Sequence, residues 1–483
     1  MLSLIISLCA LVLGYLFYSR LAERIFGPDP ARPTPAVSKA DGIDYIKMPG
    51  WKVFMIQFLN IAGTGPIFGA IMGAKFGPSA YLWIVFGCIF AGAVHDYFSG
   101  MLSVRNGGAG LPELIGRYLG VGARSVMLVF TVLLLILVGA VFVYSPAIIL
   151  GGMTGGTTTA MMIWVAVVFV YYIIATFMPI DKIIGRIYPL FAFSLLFMAV
   201  ALFVGLLVKW PSIPEFWDGL ANRGPAVGVK GQPIFPCLFI TIACGAISGF
   251  HGTQSPLMAR CVENEKLGRP IFYGSMITEG IVALIWAAVS SYFFFAGGAE
   301  ELGAQMNASA PAVVTIVSKS WLGVLGGILA LLGVVAAPIT SGDTALRSAR
   351  LIVADAFSVD QKGIGGRLAI SLPIFAVTGL LLWFNIADEN GFNTIWRYFG
   401  WANQTLSVFT LWAITVFLTR ERKKASFLIS LIPACFMTST CLTYICIDKI
   451  GLHLPATTIP WIGAGTFVLS MLLFFLWRAR AKA

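Results

Sequence analysis

The chain has 483 residues, 58% of them hydrophobic and 11% charged, and a mean hydropathy of +0.89. So apolar a composition excludes a soluble globular core of this length and indicates an all-α polytopic membrane protein. The net charge of +11 does not indicate a nucleic-acid partner, because the Lys and Arg residues lie in short loops between apolar runs and form no stripe or amphipathic helix.

The first apolar run, 2–18, lacks a basic leader and a small-residue cleavage site, and Leu8 precedes Cys9 where a lipoprotein signal wants a small residue. A retained first helix is expected there. A connector follows to residue 50, marked as a loop by Pro28, Pro30, Pro33 and Pro35. Runs long enough to cross a hydrocarbon core of about 30 Å then recur at 51–73, 79–100, 124–150, 160–178, 187–209, 234–256, 272–296, 318–342, 368–386, 394–418, 426–447 and 458–477. With the first run they predict about thirteen membrane helices. The run after Lys319 is expected to continue past Pro338 toward residue 357 as a bent helix, since proline kinks a membrane helix without always ending it.

Basic residues in alternate loops test that scheme. One side collects 25, including Lys182, Arg186, Lys362, Lys423, Lys424 and Lys482; the other has six, with Arg397 left inside a helix. The positive-inside rule then places the N-terminus outside and the C-terminus in the cytoplasm, as for a multi-pass protein of the bacterial inner membrane.

Two spans carry a polar, glycine-rich interruption: 60–66 (NIAGTGP) in the second span and 245–252 (GAISGFHG) in the seventh. Irregular backbone at membrane depth survives only inside protein or along a wet cavity, because lipid cannot satisfy freed N–H and C=O groups. The two interruptions fall five spans apart and so cross in opposite directions. That predicts a LeuT/APC-like 5+5 inverted repeat: residues 1–50 as N-terminal helix and cytoplasmic connector, 51–209 as the first repeat, 210–233 as an external connector, 234–418 as the second repeat, and 419–483 as two C-terminal helices. Half-helix N-termini beyond the breaks would point N–H groups at a carboxylate. Asn60, Gly63, Thr64, Gly65 and Pro66, with Gly245, Ser248 and Gly249, are the candidate substrate site; the alternative is that these glycines only allow close helix packing.

Ionisable side chains inside membrane helices are costly and therefore candidates for coupling. His95 and Asp96, Glu279 and Asp343 fall at similar depth and suit a proton relay; Arg347, one turn beyond Asp343, is placed to pair with it. The alternative for these groups is a lattice of ion pairs and helix caps. Adjacent hydroxyls at Thr340 and Ser341 beyond Pro338 are a candidate Na+ site, unless they back-bond to their own helix. His251 and Gln254 are placed to contact substrate, or His251 to cap the broken backbone. Asn403 and Gln404 either line the site or join helices, and Arg397 either meets an anionic substrate or snorkels to headgroups. The eight cysteines show no metal-ligand spacing and read as small buried hydrophobes. No grouping of nucleophile, base and orienter suggests an enzyme, and no cofactor is expected beyond a coupling H+ or Na+.

Six stretches resemble the carbon starvation protein (CstA) family of bacterial inner-membrane transporters: IAGTGPIFGAIMGAKFGP (61–78), GAVHDYFSGMLSVRNGG (92–108), SGFHGTQSP (248–256), ENEKLGRPIFYGSMITEG (263–280), TSGDTALRSAR (340–350) and FGWANQTLS (399–407). The chain looks like a compact form of that family, and its first break reads Gly-Thr-Gly-Pro where the family pattern has Gly-Ala-Gly-Pro. The resemblance implies the LeuT-like fold and the uptake of pyruvate or peptides under nutrient limitation. The expectation is a secondary active symporter of a small organic nutrient, pyruvate preferred, in the lipid bilayer and driven by H+ or Na+. A peptide transporter is the alternative within the class, and a nutrient-sensing receptor or a passive channel are the alternatives outside it.

Overall fold

A computed structural model describes residues 1–42, 44–177, 180–361, 363–388, 391–422 and 425–480; the side chains of 177, 180–187, 324–326, 329–330 and 392–393 are outside the description. Of the basic residues used above, Lys182, Arg186, Lys362, Lys423, Lys424 and Lys482 lie outside the described backbone or side chains.

In a solvent that offers no hydrogen bonds, a chain of this composition satisfies its backbone internally as helix. The helices are α1 (Leu2–Phe26), α2 (Gly50–Ala62), α3 (Gly65–Ala74), α4 (Ser79–Arg105), α5 (Leu111–Leu119), α6 (Val121–Met153), α7 (Thr158–Phe177) and α8 (Ile180–Lys209). They continue with α9 (234–241), α10 (Gly249–Ala259), α11 (Glu265–Phe295), α12 (Ala310–Phe357), α13 (Ile364–Ala387), α14 (Gly391–Glu421), α15 (Leu428–Ile447) and α16 (Ile459–Arg480). Ten helices among the described residues are long and apolar enough to cross a membrane, or eleven if the bent pair α2 and α3 is one span. The count of thirteen is not reached by length and apolarity. The two remaining expected spans are α9 with α10, whose halves are short, and α12, which departs from helical geometry at Gly323 (φ 63°, ψ −165°). The long helix does run to Phe357 as expected, but its non-helical residue is Gly323, not Pro338.

Burial separates centre from rim. The most apolar windows of α16 and α7 are only 11% and 22% buried, so these helices are sheathed by lipid, whereas those of α4 and α11 are 83% and 89% buried. At the centre α2 packs against α8, α10, α11 and α12, and α10 against α4 and α14. The halves that flank the breaks, α2 and α10, therefore sit among the central helices of the bundle. The short helix α5 was not anticipated: Leu111, Leu114, Ile115 and Tyr118 are buried while Glu113 and Arg117 face out, the pattern of a helix lying along an interface.

The two connectors are ordered covers on opposite faces. Between α1 and α2, the Met48 N–H donates to Cys261 O (3.2 Å), Tyr45 Oη donates to Gly107 O (3.2 Å) and Lys39 Nζ donates to Gly107 O (3.0 Å). On the other face Ser79 Oγ donates to Leu220 O (3.0 Å) and the Arg223 N–H to Phe76 O (3.4 Å). The residues of both breaks are buried.

Candidate functional site

The first break is made by Gly63, whose φ of 49° and ψ of −138° are strained for any residue with a Cβ. It turns α3 by 53° from the axis of α2, and Pro66 falls in the first turn of α3, where its missing N–H costs nothing. The second break runs from Ile242 to Ser248, between α9 and α10. The two breaks touch. A Cβ on Gly65 would lie 2.2 Å from Cys244 Cβ and 2.4 Å from its Sγ, and one on Gly69 would lie 3.0 Å from Thr241 O. The structure thus brings residues 63–66 and 244–249, some 180 positions apart in sequence, into direct contact.

Polar groups gather at the first break without saturating one another. Among the described residues Asn60 Oδ1 and Nδ2, Thr64 Oγ1 and Gln57 Oε1 are buried and have no hydrogen-bond partner. Buried polar atoms are nearly always paired, so these atoms retain hydrogen-bonding capacity for a water or a ligand. Ser341 Oγ donates to Leu59 O at 3.1 Å, tying α12 to the end of α2, while Thr340 Oγ1 bonds back to Ala336 O (3.0 Å) and Ala337 O (2.9 Å). Beside Ser341, whose Oγ would lie 3.5 Å from a Cβ on Gly63, the Phe142 ring would lie 2.6 Å from it; that ring meets Phe250 and Phe399 edge to face, with centroids 6.1 and 6.0 Å away.

Directly behind Cys244 lies a chain of ionisable groups. Asp96 Oδ1 is 2.8 Å from His95 Nδ1 and Asp96 Oδ2 is 2.9 Å from His251 Nδ1. Each imidazole spends its Nδ1–H on the carboxylate and keeps Nε2 free of a hydrogen-bond partner. His251 Nε2 stands 3.5 Å from Glu279 Oε2, and neither Glu279 oxygen has a hydrogen-bond partner among the described residues. All four side chains are fully buried. Two carboxylates with no cation but imidazolium cannot both stay charged cheaply in such a place. The four side chains thus form one continuous buried run, Glu279, His251, Asp96 and His95. Cys244, His251 and Glu279 are also the described residues whose donor atoms, all within 4.8 Å of one another, could together hold a metal ion.

The other expected residues have the following partners. Asn403 Oδ1 accepts from the Phe250 N–H (2.7 Å) and from Ser248 Oγ (3.0 Å), so it caps the start of α10. Gln404 Nε2 donates to Phe239 O (2.9 Å) at the end of α9. Both therefore hold the second break in shape from α14. Gln254 bonds its own neighbour Thr253 at 2.9 Å, with Oε1 left unpartnered. His251 does not cap the broken backbone with its ring, which is committed to Asp96. Asp343 accepts from Tyr188 Oη at 2.8 Å, apart from the histidine cluster, and Arg347 donates to Ala175 O at 2.7 Å and lies 4.0 Å from Asp44. Sequence reasoning missed Cys244, whose thiol looked like a small core residue although it lies within the second break, and Tyr188, which meets Asp343 across 155 positions with no local signal.

Arg397 pairs with Asp448 at 3.0 and 3.2 Å, a partner that neither expectation supplied. With the guanidinium 34% exposed, Arg397→Ala is expected to cost roughly 1 kcal/mol in thermal unfolding and to leave the KM for substrate unchanged. A rise in KM with unchanged stability would return Arg397 to the site.

The family described as "Carbon starvation protein CstA" matches residues 1–168, 156–320 and 293–444. A membrane protein of Haemophilus influenzae is 48% identical over 329 residues, 59% of this chain and 89% of that protein. The peptide transporter CstA of Escherichia coli is 26% identical over 565 aligned positions, 90% of this chain and 79% of that one. The pyruvate/proton symporter BtsT of Escherichia coli is 28% identical over 354, covering 59% of this chain but only 48% of the symporter. Among solved structures, a manganese transporter of Eremococcus coleocola superposes with a TM-score of 0.56 over 92% of this chain and 99% of that one at 11% identity. A Na+-coupled sialic acid symporter superposes at 0.53 over 97% and 95% at 13% identity. At such identities the likeness establishes the fold alone.

Proposed function

The chain belongs to the carbon starvation protein CstA family of membrane transporters, and from that premise we propose that it is a proton-coupled importer of a small carboxylate, with pyruvate as the preferred cargo. The observation that carries the proton is the buried run from Glu279 through His251 and Asp96 to His95, whose inner end adjoins Cys244 and so the point where the two breaks meet. A proton taken up there removes one of the two carboxylate charges, and its gain or loss changes the field at the breaks a few ångströms away. The carboxylate is supported by the positive end of α3 at Gly65 together with the unpartnered Asn60 amide and Thr64 hydroxyl. Small size is supported by Phe142 packed against Gly63.

Between the two Escherichia coli relatives, the symporter of pyruvate and protons fits this chemistry more closely than the peptide transporter. Sodium coupling is the second reading, favoured by Ser341 Oγ and the Leu59 carbonyl 3.1 Å apart; against it, Thr340 spends its hydroxyl on its own helix. The test is substrate-driven proton entry into proteoliposomes carrying a trapped pH dye. Pyruvate is expected to acidify the lumen in sodium-free buffer and a dipeptide is not. Acidification by the dipeptide alone would reverse the choice of cargo, and movement of pyruvate only with sodium would replace the coupling ion.

A further inference from the structure

A groove of about 580 Å³ opens where the C-terminal end of α5 meets the outer faces of α14 and α16. Its wall is apolar along most of its length: Trp412 and Val416 on α14 and Leu473, Phe474 and Trp477 on α16 repeat at helical spacing. One end differs. There Arg117, from α5, and Arg420, in the last turn of α14, both exposed, stand at the mouth. The Arg420 guanidinium lies 5.7 Å over the Trp477 ring. Arg117 donates to the neutral Asn106 Oδ1. Among the described residues neither guanidinium has a carboxylate within ion-pair distance.

Glu421 follows Arg420 and Glu113 precedes Arg117 by one turn, but neither is within ion-pair distance of these guanidiniums. Two such cations at one end of an apolar channel match the division of a phospholipid into anionic head and acyl tail. The position agrees. α5 lies along the interface, α14 and α16 end within a few residues of Arg420 and Trp477, and a tryptophan at that level is usual for the headgroup boundary. Guanidinium binds phosphate oxygens in a bidentate fork, and basic pockets between membrane helices take anionic headgroups. We propose that this groove is a binding site for an anionic phospholipid, its phosphate between Arg117 and Arg420 and one acyl chain along Trp412 and Phe474. The site is independent of the transport cargo.

Native mass spectrometry of the full-length protein in detergent, titrated with phosphatidylglycerol or phosphatidylcholine of the same chains, tests it. The phosphatidylglycerol adduct is expected to exceed the phosphatidylcholine adduct roughly tenfold or more. Arg117→Gln/Arg420→Gln is expected to bring the two to parity, and Ser470→Trp, which fills the apolar end with the charges intact, to reduce the phosphatidylglycerol adduct. Equal adducts in the native protein, a preference that survives Arg117→Gln/Arg420→Gln, or displacement of the lipid by millimolar inorganic phosphate would overturn the proposal. Should the double variant not fold, Ser470→Trp decides alone: loss of the adduct supports the site and its persistence overturns it.

Discussion

Glu279→Gln is expected to abolish uphill transport while leaving downhill exchange intact. Under a gradient of one pH unit, one proton per pyruvate supplies about 1.4 kcal/mol, a roughly tenfold accumulation. Glutamine copies the protonated carboxyl in shape and polarity but cannot release a proton, so the ratio should fall to about one. Counterflow of labelled against unlabelled pyruvate needs no net proton movement and should persist. The consequence follows from position: Glu279 touches the cluster only through His251 Nε2, at 3.5 Å, and is the member whose two oxygens have no hydrogen-bond partner among the described residues. Accumulation that survives Glu279→Gln would remove Glu279 from coupling. Loss of counterflow as well would make it a substrate-site or structural residue instead.

Gly65→Ala has the second large effect. The added methyl would meet Cys244 Cβ at 2.2 Å and Sγ at 2.4 Å, and close-packed interiors yield little. Overpacking of this kind costs typically about 1–3 kcal/mol, and here it also wedges apart the two breaks on which transport depends. Transport should be lost and the unfolding temperature lowered. Cys244→Gly in the same chain leaves only the Cys244 Cα, 3.5 Å away, an ordinary contact, so part of the stability should return. Gly152→Ala, where nothing lies within 4 Å, is the control and should behave as the native protein. Additive effects of Gly65→Ala and Cys244→Gly would show that the two breaks do not touch.

These results bear on what could be read from the chain before its structure. The breaks were legible because glycine, proline and asparagine in an apolar run have no reason to be there unless the helix opens, and Gly63 and Ser248 fall where the helices end. Asp96, His95 and Glu279 were legible because charge inside a membrane helix is expensive. Their union through His251 was not, since hydrogen-bond partners 155 positions apart leave no mark on local sequence. Asn403 and Gln404 were recognised as polar residues of a membrane helix, but whether such a side chain faces a ligand or a neighbouring helix depends on rotation about the helix axis. That rotation is set by packing against α9 and α10. Arg397 escaped for a similar reason, its partner Asp448 belonging to a loop 51 residues on. The interruption at Gly323 was not anticipated because proline is the stronger sequence signal and attention fell on Pro338, although a glycine with positive φ breaks a helix as readily. The interfacial helix α5 is too short for an apolar-run search and reveals itself only by the burial of one face.

The central claim is that a proton gradient drives pyruvate uphill through this protein. The direct measurement is the concentration of labelled pyruvate inside proteoliposomes held alkaline within and acidic without, in sodium-free buffer, beside liposomes lacking protein. Accumulation above the external concentration that collapses on addition of a protonophore is predicted. Equilibration without accumulation, or accumulation that follows a sodium gradient and ignores the protonophore, would contradict the account.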